Sequence, residues 1–388
     1  LNLANKVTQF IYYVAQKSMK LKKNFTVIKI FFITLILFLI SDLILSNTLV
    51  KYIVNKDCFK YLRYSLNNKK YYSYELEKNC SAYEVKKTVN TYKVYTDNNG
   101  FRVSKKYIKK NKEKVVFLGD SFTYGFGLDY DDSVVGIINK KIDFETINLA
   151  VPGYGSSILL YKYKKLLNSN IKPKKVFYLM DITDVYDGSN RWTKLNDIDI
   201  PVVIDDTFSK EISKTLTYKK NFKISRLFAY NLNKFFRNIR KKIKRNYWIQ
   251  KDEVGPTNLG GFTYTPKQQL SKNVWKVDYE EGLKKIHKNV RLISSLSKNI
   301  GSSFYIVIYP WAETLEYGEK YFSWQKFGVN LCKQVGCTKL INAFPDFEKV
   351  KNENIKWKKE IYFLLDIHFN KNGNKILANK IINEVFIK

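Results

Sequence analysis

The sequence predicts an α/β fold, a parallel sheet wrapped by helices on both faces. Two observations predict it. Five short, continuously apolar runs appear from residue 115 onward, each of the kind found in strands buried on both faces. Segments with helical periodicity lie between them, so β and α alternate along the chain. In such folds ligands bind beyond the carboxyl ends of the strands, and the residues just after each strand carry most of the functional information.

Composition bounds the rest. The chain has 388 residues, of which 45% are hydrophobic and 27% charged, which excludes disorder, collagen and low-complexity repeats. The length suits one large domain with additions, or two domains. A net charge of +33 would ordinarily suggest nucleic acid as a partner. However, only 8 of the 68 cationic residues are arginine, and Lys, Tyr, Phe and Asn abound as low-GC coding produces. Base-edge and phosphate recognition favour arginine's planar fork, so no nucleic-acid partner is expected. A basic surface remains suited to acidic glycans or lipid headgroups.

Met19 is the expected start of translation, and residues 1–24 form a basic, cytoplasmic N-terminus carrying Lys20, Lys22 and Lys23. Ile30 to Ser41 and Leu43 to Val50 are apolar and broken only by Asp42, so residues 25–50 are expected to form a transmembrane anchor. A cleaved signal peptide is the rival reading, although no small-x-small cleavage site follows. The anchor implies a single-pass protein of the bacterial inner membrane, with its main domain facing the periplasm or exterior. Cys58 with Cys80, and Cys332 with Cys337, form two local pairs that suit two disulfides in an exported domain. No metal site is expected, because the only histidines, His287 and His368, lie beside neither pair. His287 sits on a basic helical face and is read as solvated.

Residues 51–111 are polar and tyrosine-rich, lack a helical period and contain the turn-like Asp97-Asn98-Asn99-Gly100, so they read as an extension packed on the main domain. The main domain spans residues 112–388. Its expected strands are Val115 to Leu118, Thr146 to Val151, Val176 to Met180, Phe304 to Tyr309 and Lys339 to Asn342. Its helices are expected to include Ser157 to Leu167, Tyr279 to Ser297 and Asn374 to Phe386. Residues 201 to about 275 break the alternation with a cationic segment (Arg237, Arg240, Lys241, Lys242, Lys244, Arg245) followed by Gly255-Pro256 and Gly260-Gly261. They read as a basic insertion, either a solvated face or a surface for anionic glycan or headgroups.

The first strand ends in Gly119-Asp120-Ser121, which sets a serine at a strand-to-helix turn. A serine hydroxyl is a poor nucleophile unless a base takes its proton. Asp366-Ile367-His368, just before the last helix, offers such a base and a carboxylate to orient it.

These residues resemble the SGNH/GDSL hydrolase superfamily of esterases and acyltransferases. Gly119-Asp120-Ser121 matches its first block, Gly153 after the second strand is similar to its second, and Asp366 with His368 resembles its last. The Asp-x-His spacing is similar to that of membrane-associated members acting on exopolysaccharide acetylation. The third block departs from the family's Gly-x-Asn-Asp, because the sequence after the third strand is Met180-Asp181-Ile182-Thr183-Asp184-Val185. Thr183 stands near the place of the asparagine that donates to the oxyanion, with Asn190 as another substitute.

The resemblance covers residues 112–200 and 300–388 and implies a flavodoxin-like three-layer α/β/α sandwich with a parallel sheet. It implies a Ser121, His368 and Asp366 triad, and an oxyanion hole from the N–H groups of Ser121 and Gly153 with Thr183 as a third donor. No metal or organic cofactor is required. Asp120, Asp181, Asp184, Asn190 and Trp192 are further candidates at the substrate site. For Asp181 and Asp184 the alternative is holding loops through backbone N–H bonds, while Trp192 is read first as core packing, with lining a sugar site as its other use. The implied activity is ester hydrolysis or O-acyl transfer, with acylated envelope polysaccharide or glycolipid as substrate and a membrane-bound acyl-transfer partner. A non-catalytic envelope binding or assembly protein and a lipase or lysophospholipase are the alternatives.

Overall fold

The computed structural model describes residues 13, 28–38, 40–41, 57–84, 89, 91–106, 112–195, 200–204, 209–210, 212–213, 263–264, 278–364 and 366–387. The chain divides into two compact units, Leu1–Val54 with Thr217–Arg240, and Asn55–Leu216 with Lys241–Lys388. In the first unit residues 28–38 and 40–41 are helical, and Ile30, Phe31, Phe32, Ile33 and Leu37 are exposed. Among the described residues no helix is long and apolar enough to cross a membrane. The remainder of the expected anchor over 25–50 lies outside the described residues, as does the cationic segment of the insertion.

The second unit is built on a five-stranded parallel sheet. Five strands precede that sheet in the chain: β1 (Phe59–Leu66), β2 (Lys69–Leu76), β3 (Ser81–Glu84), β4 (Tyr92–Thr96) and β5 (Arg102–Val103). The parallel sheet itself holds β6 (Lys114–Leu118), β7 (Glu145–Asn148), β8 (Lys175–Met180), β11 (Ser303–Ile308) and β12 (Lys339–Asn342), in the spatial order β12-β11-β8-β6-β7. Two short strands, β9 (Trp192–Thr193) and β10 (Val202–Val203), fall between β8 and β11 in the chain and pair elsewhere. Counted within the parallel sheet the order is 2-1-3-4-5, the flavodoxin-like order. All five expected strands are present. β7 stops earlier than expected, at Asn148, because the Asn148 side chain accepts from the Ala150 N–H (3.0 Å) and turns the chain out of the sheet.

The order and the right-handed rule for parallel crossovers set the layers. The connection from β6 to β7 runs one way across the sheet, so α1 (Ser121–Tyr124) and α2 (Val134–Lys141) lie on one side. The remaining connections run the other way, which puts α3 (Ser156–Asn168), α4 (Tyr279–Asn299) and α5 (Trp324–Val335) on the opposite side. Asn289 of α4 donates to Ser156 of α3 (3.0 Å), and Ser294 of α4 donates to the Val335 carbonyl of α5 (2.9 Å). The last helix, α6 (Lys371–Val385), joins α2, since the Val134 N–H donates to Asn374 Oδ1 (2.9 Å). Phe117, Phe177 and Tyr305 stack across β6, β8 and β11 with neighbouring centroids 4.9 Å apart, and Phe386 covers Phe177.

The tyrosine-rich extension is β-structure. β1 and β2 form a hairpin whose two-residue turn, Asn67-Asn68, has φ of +49° and +61°, the mirror-image turn that matches strand twist. β10 and β9 extend this hairpin to four strands. β3, β4 and β5 form a separate antiparallel sheet. Both expected disulfides form: Cys58 to Cys80 ties the start of the hairpin to β3, and Cys332 to Cys337 closes the end of α5.

Candidate active site

Ser121 stands where β6 gives way to α1. Asp120 is the N-cap, with Oδ1 accepting from the Phe122 N–H (3.0 Å), a bond worth about 1 kcal/mol at a helix start. Gly125 ends the single turn at φ +86°, a left-handed conformation that an L side chain resists. Its N–H and that of Phe126 both donate to the Ser121 carbonyl, at 3.1 and 3.0 Å. The serine is thus on a tight turn bound at both ends.

His368 reaches it from 247 positions further along the chain. Its Nε2 lies 2.7 Å from Ser121 Oγ, and its Nδ1 bonds Asp366 Oδ1. Asp366 also accepts from the His368 backbone N–H (3.2 Å), so one carboxylate fixes both the ring and its loop. The loop is clamped in turn by Asn370. Its amide donates to the carbonyls of Lys359, Glu360 and Tyr362, while its oxygen caps α6 at Asn372 and Gly373. Phe122 and Phe126 lie against the imidazole, with centroids at 4.8 and 4.5 Å. With Nδ1–H held by Asp366, Nε2 faces the serine as an acceptor.

Ser121 Oγ has a second acceptor in Asp120 Oδ2, at 3.1 Å. Burial pushes the Asp120 carboxyl above the ordinary aspartate range, opposed in part by His368. The shorter of the two contacts at Ser121 Oγ, 2.7 Å against 3.1 Å, is the one to His368.

Gly153, in the loop after β7, has φ +77°, and a Cβ there would lie 2.8 Å from both Arg191 Nη1 and Tyr74 Oη. Only glycine fits this approach. Tyr74 donates to the Pro152 carbonyl (2.8 Å) and Trp192 to the Gly153 carbonyl (2.7 Å), so the loop is held from the side of the hairpin sheet. Arg191 pairs with Asp187 (2.8 Å) beside it.

One expectation needs correction. Thr183 is not placed as an oxyanion donor: its hydroxyl bonds Asp181 Oδ1, with Asp120 Oδ2 3.4 Å away, and a hydroxyl has one proton to give. Asp120, Asp181 and Asp184 are each buried and hydrogen-bonded, and for Asp181 and Asp184 this fits the alternative of holding the loop. Asp181 accepts from Thr183 N–H and from the Trp311 indole (2.9 Å), and Asp184 Oδ2 accepts from Asp181 N–H (3.2 Å). Burial raises the Asp181 carboxyl well above its usual range, with Asp120 adding repulsion, and raises Asp184 likewise, with Asp181 adding to it. Trp192 is wholly buried against Tyr74 and Tyr154, so it packs the core, the use favoured from the sequence, and supports Gly153. The Asn190 side chain lies outside the described residues.

Sequence reasoning missed Phe126, Arg102 and Glu84. Nothing in the periodicity of the extension pointed to the last two. Among the described residues no cluster of His, Cys, Asp and Glu is arranged to hold a metal.

No family model and no curated protein matches the chain. Among solved structures it is similar to the esterase EstA from Pseudoalteromonas sp., at 13% identity over 70% of this chain and 96% of that chain, with a TM-score of 0.37. It is likewise similar to a member of the lipolytic protein G-D-S-L family from Veillonella parvula (13%, 71% and 99%, TM-score 0.39). A third is a catalytic mutant of Axe2, an acetylxylan esterase from Geobacillus stearothermophilus (11%, 72% and 97%, TM-score 0.40). Similarity at this level assigns no activity to the chain.

Proposed function

We propose that the chain is a serine-dependent carboxylic ester hydrolase or O-acyltransferase of the SGNH/GDSL type. The observation that carries the reading is the bridge made by His368, 2.7 Å from Ser121 Oγ on one ring nitrogen and bonded to Asp366 on the other. Ser121 attacks the ester carbonyl, and Nε2 takes its proton. The tetrahedral oxyanion is met by the backbone N–H groups of Ser121 and Gly153. His368 returns the proton to the leaving alcohol, and the acyl group then passes to water or to a sugar hydroxyl. With Thr183 committed to Asp181, the hole has two donors, and each missing donor costs on the order of 10²–10³ in rate. That one observation favours a second reading, an envelope binding or assembly protein with little turnover.

The substrate is proposed to be an acylated polysaccharide or glycolipid at a membrane face. Two features support the location: the exposed apolar helix over residues 28–38, and two disulfides, which persist in oxidising compartments. The test is to treat the full chain with a serine-directed fluorophosphonate and with p-nitrophenyl acetate. Labelling and turnover that vanish in Ser121→Ala uphold the enzyme. An unlabelled parent chain without turnover refutes it in favour of the binding role.

A further inference from the structure

Arg102 is wholly buried on β5, in the small sheet of the extension, yet its guanidinium bonds the nucleophile's segment. Its Nη1 donates to the carbonyls of Tyr124 and Gly125 (2.9 Å to the latter), and its Nη2 donates to that of Leu128. The guanidinium lies 4.4 Å from the centroid of Tyr124 and 5.4 Å from that of Tyr92, and both phenols donate to Glu84 on β3. The buried cation therefore has aromatic faces and, one residue beyond them, a carboxylate.

The gripped carbonyls bracket Phe126. Two precede it and one follows, and the Phe126 ring lies 4.5 Å from the His368 imidazole, at 31° to its plane. The Phe126 N–H also binds the Ser121 carbonyl (3.0 Å), so the same residue touches both halves of the serine and histidine pair. We infer that Arg102 is a positioning residue: by fixing the 124–128 loop it sets Phe126 against His368 and holds the imidazole on line with Ser121. The inference rests on the esterase or transferase reading for its kinetic consequence, but not for its geometry. The planar fork matters, because a lysine at this position brings one point charge and cannot span three carbonyls.

The test uses the full chain with Arg102→Lys, Phe126→Leu and the double variant. Misplacement of reacting groups by about 1 Å costs on the order of 10²-fold in rate, so each single variant is expected to lose about that much in kcat on p-nitrophenyl acetate, with KM little changed. The double variant is expected to lose no more than about threefold beyond the worse single, because both act through one contact. A second readout does not depend on activity. The chain has two histidines, so NMR spectra labelled only at ring Cε1 carry two signals. Arg102→Lys is expected to move the His368 signal in the same direction as Phe126→Leu does, leaving that of His287 in place. Near-parental kcat in Arg102→Lys, multiplying losses in the double variant, or an unmoved His368 signal each overturn the inference. If the parent neither labels nor turns over, the esterase reading fails, and the spectra alone decide the positioning role.

Discussion

Replacing Thr183 with valine keeps the shape of the side chain and removes its hydroxyl. In the structure that hydroxyl bonds Asp181, and the buried carboxylate keeps two other donors, Thr183 N–H and the Trp311 indole. Loss of a buried hydrogen bond that leaves a group short of a partner costs about 1–3 kcal/mol of stability. At about 2.1 cal/mol/K per residue the unfolding entropy of 388 residues is about 0.8 kcal/mol/K, so each 1 kcal/mol moves Tm by about 1.2 °C and a fall of about 1–4 °C is expected. An oxyanion donor would instead act on the barrier, by about 2.7–4 kcal/mol or 10²–10³ in kcat. The two roles separate in a pair of measurements, a thermal melt and a kcat on p-nitrophenyl acetate. The expected outcome is a clear loss of Tm with kcat reduced by less than about tenfold, which is about 1.4 kcal/mol. A kcat reduced about 10²-fold or more at unchanged Tm would refute the assignment of the hydroxyl to Asp181.

Gly153→Ala places a methyl group 2.8 Å from Arg191 and Tyr74 in a left-handed conformation that costs about 1–2 kcal/mol, and kcat is expected to fall on the order of 10²-fold as the loop N–H moves; a parental kcat would remove Gly153 from the oxyanion hole. Asp184 is raised well above 3.8 by burial, then by Asp181 and Asp120, so the folded chain binds its proton more tightly than the unfolded chain. Its contribution is therefore full below pH 3.8 and is lost as pH rises through the folded value, and Asp184→Asn is expected to flatten the decline of Tm with rising pH; an unchanged slope would contradict this. Removing the Cys58 to Cys80 disulfide, which closes a separation of 22 residues, is expected to cost about 3 kcal/mol in urea unfolding, and no change in the midpoint would show that the extension is ordered without it.

The parts of the molecule that could be read from sequence are those governed by one dominant force. Val115 to Leu118 and Phe304 to Ile308 are apolar at every position because the strand is covered on both faces, and little else produces so short and unbroken a run. The serine and its partner were legible because their chemistry demands particular residue types in a particular order. The extension was opaque for the opposite reason. β2 buries Tyr72, Ser73 and Tyr74 in succession, so the period of two that betrays a strand is erased. The burial of Asp120, Asp181 and Asp184 was equally hidden, because a carboxylate in the sequence reads as solvent-facing until the Trp311 indole, 130 positions from Asp181, is seen to bind it. Thr183 was aligned by position alone, and position says nothing about where a hydroxyl sends its proton.

The 247 positions that separate Ser121 from His368 also set an order in time. During synthesis the nucleophile emerges long before its base, and every strand of the central sheet must be made before the two can meet. On the proposed chemistry, a nascent polypeptide that has not yet reached His368 is consequently inert toward esters. Synthesis through His368 doubles as the switch that arms it.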